Sequence, residues 1–284
     1  MKILVTGSSG QVGRELMARL EASEHEAVPI DREHGDLADR DWTVQRITAE
    51  RPAIIIHAAA FTAVDRCEVE VETATLGNVD ASRHVAEGAR SVGAHVVYLS
   101  TDYVFDGTKP SPYVESDVPN PQSVYGRTKL AGERAIDPEW TIVRTSWVSG
   151  FHGHNMVKTV LALATGDGEL SFVDDQIGHP TFAGDLADTL IELVEDPVHG
   201  ILHATNQGVV SWYGFVRAIL DAGGHDPDRV RPITTSEFIA SRPADAPPLA
   251  PRPANSVLDS DSGRPLLRDF HAPLAELVGR LQRS

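Results

Sequence analysis

Ile3-Leu4-Val5-Thr6-Gly7-Ser8-Ser9-Gly10-Gln11-Val12-Gly13 is the stretch on which the fold turns. Ile3-Leu4-Val5 is a short apolar run of the kind that forms a buried strand, and a helical pattern runs from Gln11 to Leu20. Gly7, Gly10 and Gly13 join the two in G-x-x-G-x-x-G spacing. Such a turn presses backbone N–H groups and a helix N-terminus against a pyrophosphate, and side chains at the glycine positions would block that approach. Glycines alone say little. A strand, a glycine turn and a helix in this order predict a dinucleotide cradle built from Gly7, Gly10, Gln11, Val12 and Gly13.

Working outward, apolar runs at Ala27 to Ile30, Ala53 to His57, His95 to Leu99 and Thr141 to Arg144 read as further strands. Helical stretches fall between them: Ala74 to Gly93, and one that begins near Pro121 and continues through Thr128 to Ile136. Continuous β-branched strands separated by helices indicate a parallel sheet covered on both faces. The expected fold class is therefore α/β, a Rossmann-type doubly wound parallel sheet with a smaller C-terminal substrate lobe. Residues 1–148 form the dinucleotide domain, with 168–204 returning to it, and 149–167 with 205–284 form the lobe. In that second half, helices are expected after Asn155, through Leu186 to Glu195, after the N-cap Ser211, and over Pro273 to Leu281. The proline-rich segment 242–253 reads as a loop or an extended arm.

Composition narrows the function classes. A chain of 284 residues with 41% hydrophobic and 23% charged residues is ordinary for a globular protein. The net charge of -16 speaks against nucleic acid as a partner, because phosphate contacts need clustered Lys and Arg. Cys67 is the single cysteine, so no internal disulfide forms and a reducing compartment follows. The start is too short in apolar residues for a signal peptide, and no run is long enough for a membrane helix, so a cytoplasmic protein is expected. No metal is expected, since His152 and His154 have no third ligand spaced nearby. A homodimer is compatible with the sequence.

Candidate site residues follow from position. Asp31 ends the second strand, where a carboxylate meets the adenosine ribose and repels a 2′-phosphate; Arg32 beside it offsets that repulsion. Asp36 and Leu37 flank the adenine side. Ala58, Ala59 and Ala60 follow the third strand, and small residues there let a cofactor lie close to the backbone. Tyr125 and Lys129 form Y-x-x-x-K, one face of a helix. A tyrosine is a poor acid–base group at neutral pH, and a nearby ammonium stabilises its phenolate. Ser100 and Thr101 end the fourth strand, where a hydroxyl holds a carbonyl oxygen. Thr101, Tyr125 and Lys129 together are a carbonyl-reduction set.

These motifs resemble the extended short-chain dehydrogenase/reductases. More narrowly, several blocks resemble the dTDP-4-dehydrorhamnose reductase family. They are Ala58 to Asp65, Ser100 to Gly107, Val124 to Glu133, Arg144 to Val148, Val173 to Gln176 with Gly178 to Thr181, and Pro251 to Ser256. The resemblance implies NADPH or NADH as cofactor and a dTDP-sugar as substrate. It places Asn78 on the nicotinamide side, and Thr62, Val64, Tyr103, Trp147 and Thr181 around the sugar nucleotide. Two departures bear on substrate preference: His57 stands where asparagine is common, and Ser149-Gly150-Phe151 replaces a usual tyrosine. Sugar 4,6-dehydratases share the fold and the Tyr/Lys pair, but Tyr103 occupies the position of the glutamate they need after Asp102. An epimerase would gain no net hydride. A non-catalytic NADP-binding subunit, like the regulatory subunit of methionine adenosyltransferase, is the rival outside catalysis.

Overall fold

The computed structural model describes residues 1–243, 245–264 and 266–284. In chain order the main elements are β1 (Lys2–Thr6), α1 (Gln11–Glu21), β2 (Glu26–Ile30), α2 (Arg40–Glu50), β3 (Ile54–His57), α3 (Ala81–Val92), β4 (His95–Thr101), α4 (Val124–Glu133) and β5 (Thr141–Thr145). There follow α5 (Met156–Ala164), β6 (Leu170–Val173), α6 (Ala183–Glu195), β7 (Gly200–His203), α7 (Trp212–Ala222), β8 (Val230–Ile233) and α8 (His271–Gln282). β1, β2, β3, β4, β5 and β7 form one six-stranded sheet in the order β7–β5–β4–β3–β1–β2, every pair parallel.

The doubly wound sheet has an apolar layer on each face. On one, Val12, Leu16 and Leu20 of α1 meet Leu186, Leu190 and Leu193 of α6 over Ile3, Val5 and Ile56. On the other, Ile47 of α2 meets Val85, Ala86 and Ala89 of α3 over Leu4, Ile55 and Val96. Gly88 of α3 lets α2 approach, since a Cβ there would lie 2.8 Å from Cδ1 of Ile47. The chain leaves β1 toward β2 and then crosses back to β3. The carboxyl ends of β1 and β3 therefore flank the switch point, where open α/β sheets hold their ligands.

Most elements fall where the sequence pattern puts them. Two do not. α2 has weak amphipathicity and buries only Thr43 and Ile47, so it carries no clear apolar stripe; its start is fixed by Asp39, whose carboxylate accepts from Trp42 N at 3.1 Å. The expected long helix over Ala74 to Gly93 is broken at Leu76–Asp80 by a turn of π-helix, which α3 continues.

Within the segment expected to return to the dinucleotide domain, α6 and β7 lie on and in the main sheet, whereas β6 pairs with β8 instead. The second core gathers Val157 and Val160 of α5, Phe215 and Ile219 of α7, and Phe270, Leu274 and Val278 around α8. Segment 242–253 carries no helix or strand among the described residues. Its continuation is stitched to both halves. Asn255 N donates to Gly107 O at 3.2 Å, Ser256 N to Ile177 O at 2.8 Å, and Tyr113 N to Val257 O at 2.8 Å. No helix of the described residues is long and apolar enough to cross a membrane.

Candidate active site

The glycine turn is as tight as its sequence demands. Gly7 has φ +69°, and a Cβ on it would stand 2.8 Å from Ala59 N; a Cβ on Gly13 would stand 2.1 Å from Gly7 O. Gly7 therefore brings the first turn against Ala58-Ala59-Ala60, and Gly13 lets α1 start directly on it. Gly10 caps α1 without a side chain. The Ser8 hydroxyl is buried with no partner. A cradle closed to side chains, with an orphaned hydroxyl inside it, fits a diphosphate. Val12 faces the core, so only its backbone can serve a ligand. Gln11 is held from the second lobe: Asn155 Nδ2 donates to its Oε1 at 2.9 Å.

Beyond β2, the Asp31 carboxylate accepts from Glu33 N at 3.0 Å and bonds to His34 Nδ1 at 2.7 Å. His34 holds the Asp31 carboxyl below the usual range. Nothing local in the sequence singles out His34. Arg32 is exposed and makes no ion pair among the described residues, so it is free to meet an anion. Asp36 closes a turn by accepting from Ala38 N at 2.9 Å. Leu37 packs against the α2–α3 core, and its carbonyl accepts from Thr43 Oγ1.

The catalytic candidates converge at the end of β4. α4 begins at Ser123, whose hydroxyl accepts from Gly126 N at 3.0 Å, and this cap turns Tyr125 and Lys129 inward. Thr101 donates to Asp102 Oδ1 at 2.9 Å. Tyr125 is pushed up by burial, and the neighbouring Thr101 hydroxyl opposes the rise. Lys129 donates to Leu99 O at 2.7 Å and stands 4.2 Å above the Tyr98 ring. Burial pulls its ammonium down to about 7, with Glu133 opposing. The expected influence of Lys129 on Tyr125 is not among the dominant ones in this arrangement; two ammonium N–H groups remain for a ligand. Asp102 is buried, has an unpartnered Oδ2, and is pushed up to about 6 by desolvation.

Asn78 joins two parts of the site. It sits in the π turn, its Oδ1 accepts from Phe61 N at 2.7 Å, and its Nδ2 donates to Phe61 O and to Thr128 Oγ1 at 3.2 and 3.0 Å. Its amide ties the loop after β3 to α4, with both Nδ2 hydrogens engaged and one acceptor position left on Oδ1. His57 does not reach a substrate. It is wholly buried between Thr6 Oγ1 at 2.7 Å and Ser82 Oγ at 3.2 Å.

Around the substrate side, Tyr103 meets Tyr125 edge-on at 5.5 Å, and Val64 packs beside both. Thr62 is exposed nearby in sequence. Thr181 is buried with an orphaned hydroxyl, and its N–H donates to Trp147 O at 3.4 Å. Trp147 has φ +48°, a strained conformation for a bulky residue, and stacks flat on Trp212 at 3.7 Å. One indole face is thus occupied by a residue that its sequence position marks only as the first turn of a helix. Arg252 is a second residue without a local signal: it grips Asp65 through two bonds of 2.7 and 2.9 Å, 187 residues away.

The model of the RmlD substrate binding domain matches residues 1–282. The chain belongs to this family, the dTDP-4-dehydrorhamnose reductases. A Streptomyces antibioticus relative, named "Probable dTDP-4,6-dihydroxy-2-methyloxan-3-one 4-ketoreductase", is 41% identical over 97% of this chain and 94% of its own. The dTDP-4-dehydrorhamnose reductase of Aggregatibacter actinomycetemcomitans is 40% identical over 91% of this chain and 90% of its own. A solved dTDP-4-dehydrorhamnose reductase from Bacillus anthracis str. Ames, in complex with NADP, superposes with a TM-score of 0.91 at 34% identity, covering 98% of this chain and 99% of that one.

Proposed function

We propose that this reductase-family protein reduces the C4 keto group of dTDP-4-dehydro-6-deoxy-L-mannose to give dTDP-L-rhamnose. It is an NAD(P)H-dependent oxidoreductase of nucleotide-sugar biosynthesis. The observation that carries the reading is the meeting of Thr101, Tyr125 and Lys129 at the end of β4, in a chain so close to relatives of that name. The nicotinamide, when bound, supplies the hydride for C4. Negative charge then builds on the carbonyl oxygen and must be neutralised. Tyr125 gives the proton there, with Thr101 as a second hydroxyl beside it. Lys129 directs its two unused N–H groups to the ribose. Gly7, Gly10, Gly13 and Ser8 take the diphosphate, Asp31 and Arg32 the adenosine ribose, and Tyr103, Val64, Trp147 and Thr181 line the sugar-nucleotide side. The proposal includes a cytoplasmic setting and allows a homodimer.

A second keto sugar is favoured by one observation, the 41% identical relative named for a different dTDP-4-keto sugar. The assay therefore presents both sugars to the purified protein and follows NADPH and NADH consumption at 340 nm. Faster turnover with dTDP-4-dehydro-6-deoxy-L-mannose upholds the proposal. Preference for the other sugar replaces the substrate but keeps the reaction. Coenzyme binding with no turnover of either leaves the non-catalytic NADP-binding reading.

A further inference from the structure

Buried oxygen atoms without a partner are not scattered through this protein. Among the described residues there are four on side chains: Ser8 Oγ, Asp102 Oδ2, Thr145 Oγ1 and Thr181 Oγ1. Ser8 follows β1, Asp102 follows β4, Thr145 ends β5, and Thr181 lies opposite Val148 just beyond β5. All four stand at the carboxyl ends of strands or just past them, where an α/β sheet takes its ligands. A buried hydroxyl left unbonded is costly, so each of these calls for a partner that the protein does not supply. Ser8 belongs to the diphosphate cradle, Asp102 holds the Thr101 hydroxyl, and Thr181 borders the sugar side. Thr145 has no part in the site as described so far, and it is only 6% exposed.

Its neighbours say what could reach it. Thr145 and Thr101 are directly paired across β5 and β4. Side chains alternate along a strand. Val97 and Leu99 of β4 and Val143 of β5 face the α1–α6 layer, so Thr101 and Thr145, two residues further on, continue that face side by side. From Thr145 the chain runs to Gly150, where it meets the first residue of α1: the Asn155 amide donates both to Gly150 O at 2.7 Å and to Gln11 Oε1 at 2.9 Å. Segment 145–150 thus spans the distance from the reacting end of the site to the diphosphate cradle. In the sheet, Asp31 ends β2, the glycine turn follows β1, and Lys129, proposed for the second ribose, is held on Leu99 O of β4. The next strand in that direction is β5. A dinucleotide laid along these strand ends brings its nicotinamide ring to the junction of β4 and β5. The ring carries a carboxamide with one C=O acceptor and two N–H donors, and a threonine hydroxyl can bond to either.

We propose that Thr145 binds the carboxamide of the nicotinamide and so fixes the ring beside Thr101. This rests on the reading of the strand ends as the coenzyme site. The valine-like shape of the residue suits the end of a strand, but only its hydroxyl gives the ligand a partner.

The experiment measures affinity without turnover. The whole chain is titrated with NADP⁺ or NAD⁺, whichever binds more tightly, and with the matching ligand that lacks nicotinamide, 2′-phospho-ADP-ribose or ADP-ribose. Thr145→Val keeps the shape and removes the hydroxyl; Thr145→Ser keeps the hydroxyl. Thr145→Val weakens the dinucleotide by about three- to tenfold, the worth of one neutral hydrogen bond, and leaves the ADP-ribose ligand unchanged. Thr145→Ser binds both as the wild type does. The ligand-free Tm of Thr145→Val stays at or above the parental value, because the lost hydroxyl had no partner. Equal weakening of both ligands, or of neither, overturns the inference. So does a lowered ligand-free Tm, which makes the hydroxyl structural, and so does a raised keto-sugar KM with unaltered dinucleotide affinity, which turns it to the sugar. A wild-type protein that binds neither ligand brings down the coenzyme-site reading itself, and this inference with it.

Discussion

Tyr125 and Asp31 mark the two ends of the proposed site at which a single group can be removed and its effect isolated. Tyr125→Phe deletes one hydroxyl next to Thr101 and leaves the ring packed against Tyr103. General acid catalysis contributes about 10²–10⁴-fold, so kcat falls by that much while the coenzyme Kd stays nearly constant. Single-turnover rates and a coenzyme titration check the two halves of this statement. A variant that still reduces at the parental rate takes the proton from elsewhere. At the other end, the wild-type protein is expected to use both NADH and NADPH. Asp31→Ala removes a carboxylate that His34 holds ionised, and shifts the NADPH-to-NADH ratio of kcat/KM upward by about tenfold, equivalent to about 1.4 kcal/mol. An unaltered ratio removes Asp31 from the ribose.

Among the elements, the Trp147–Trp212 stack joins the end of β5 to the start of α7, and so joins the catalytic sheet to the second core. Trp147→Ala is expected to raise KM for the keto sugar by about tenfold and leave the coenzyme KM nearly unchanged. Equal damage to both constants, with a lowered Tm, would show that the stack serves packing alone. This pair also shows what sequence reading reaches. The glycine turn, the strand-end Thr101 and the Tyr125/Lys129 pair are legible because each is set by local spacing: a strand–turn–helix, a strand end, one helical turn. Trp212, Arg252 and the Glu133–Arg144 pair are not, since their meaning arises from partners far away in the chain. α2 escaped for a different reason, having almost no apolar stripe to betray its period. The bonds of Asn78 to Phe61 and Thr128 are not legible either, because they arise at a π turn within its helix.

For the whole molecule, buried histidines weaken the fold as the solution turns acid. His57 has its folded-state pKa pushed down to about 3, from an ordinary 6.5, by burial and by Lys129. Between those values the unfolded chain binds a proton that the folded chain refuses, so stability falls as pH falls through the window. The slope for one such group approaches about 1.4 kcal/mol per pH unit. His179 and His203, also pushed down by burial, act in the same direction. His57→Asn is expected to flatten the decline of Tm between pH 6.5 and 4; a curve parallel to the parent would assign the acid sensitivity to other groups. The seam around residues 250–258 has a consequence of another kind. Its bonds to Asp65, Gly107, Lys109 and Tyr113 join points separated by some 145 to 187 positions along the polypeptide. A nascent chain still on the ribosome can complete five strands and the glycine turn, yet it has not made the segment that clasps the strand-end loops. On the proposed reading the residues that would hold coenzyme are thus synthesised before the seam that braces the sugar side, and a message cut short before residue 250 is expected to yield a product that reduces nothing.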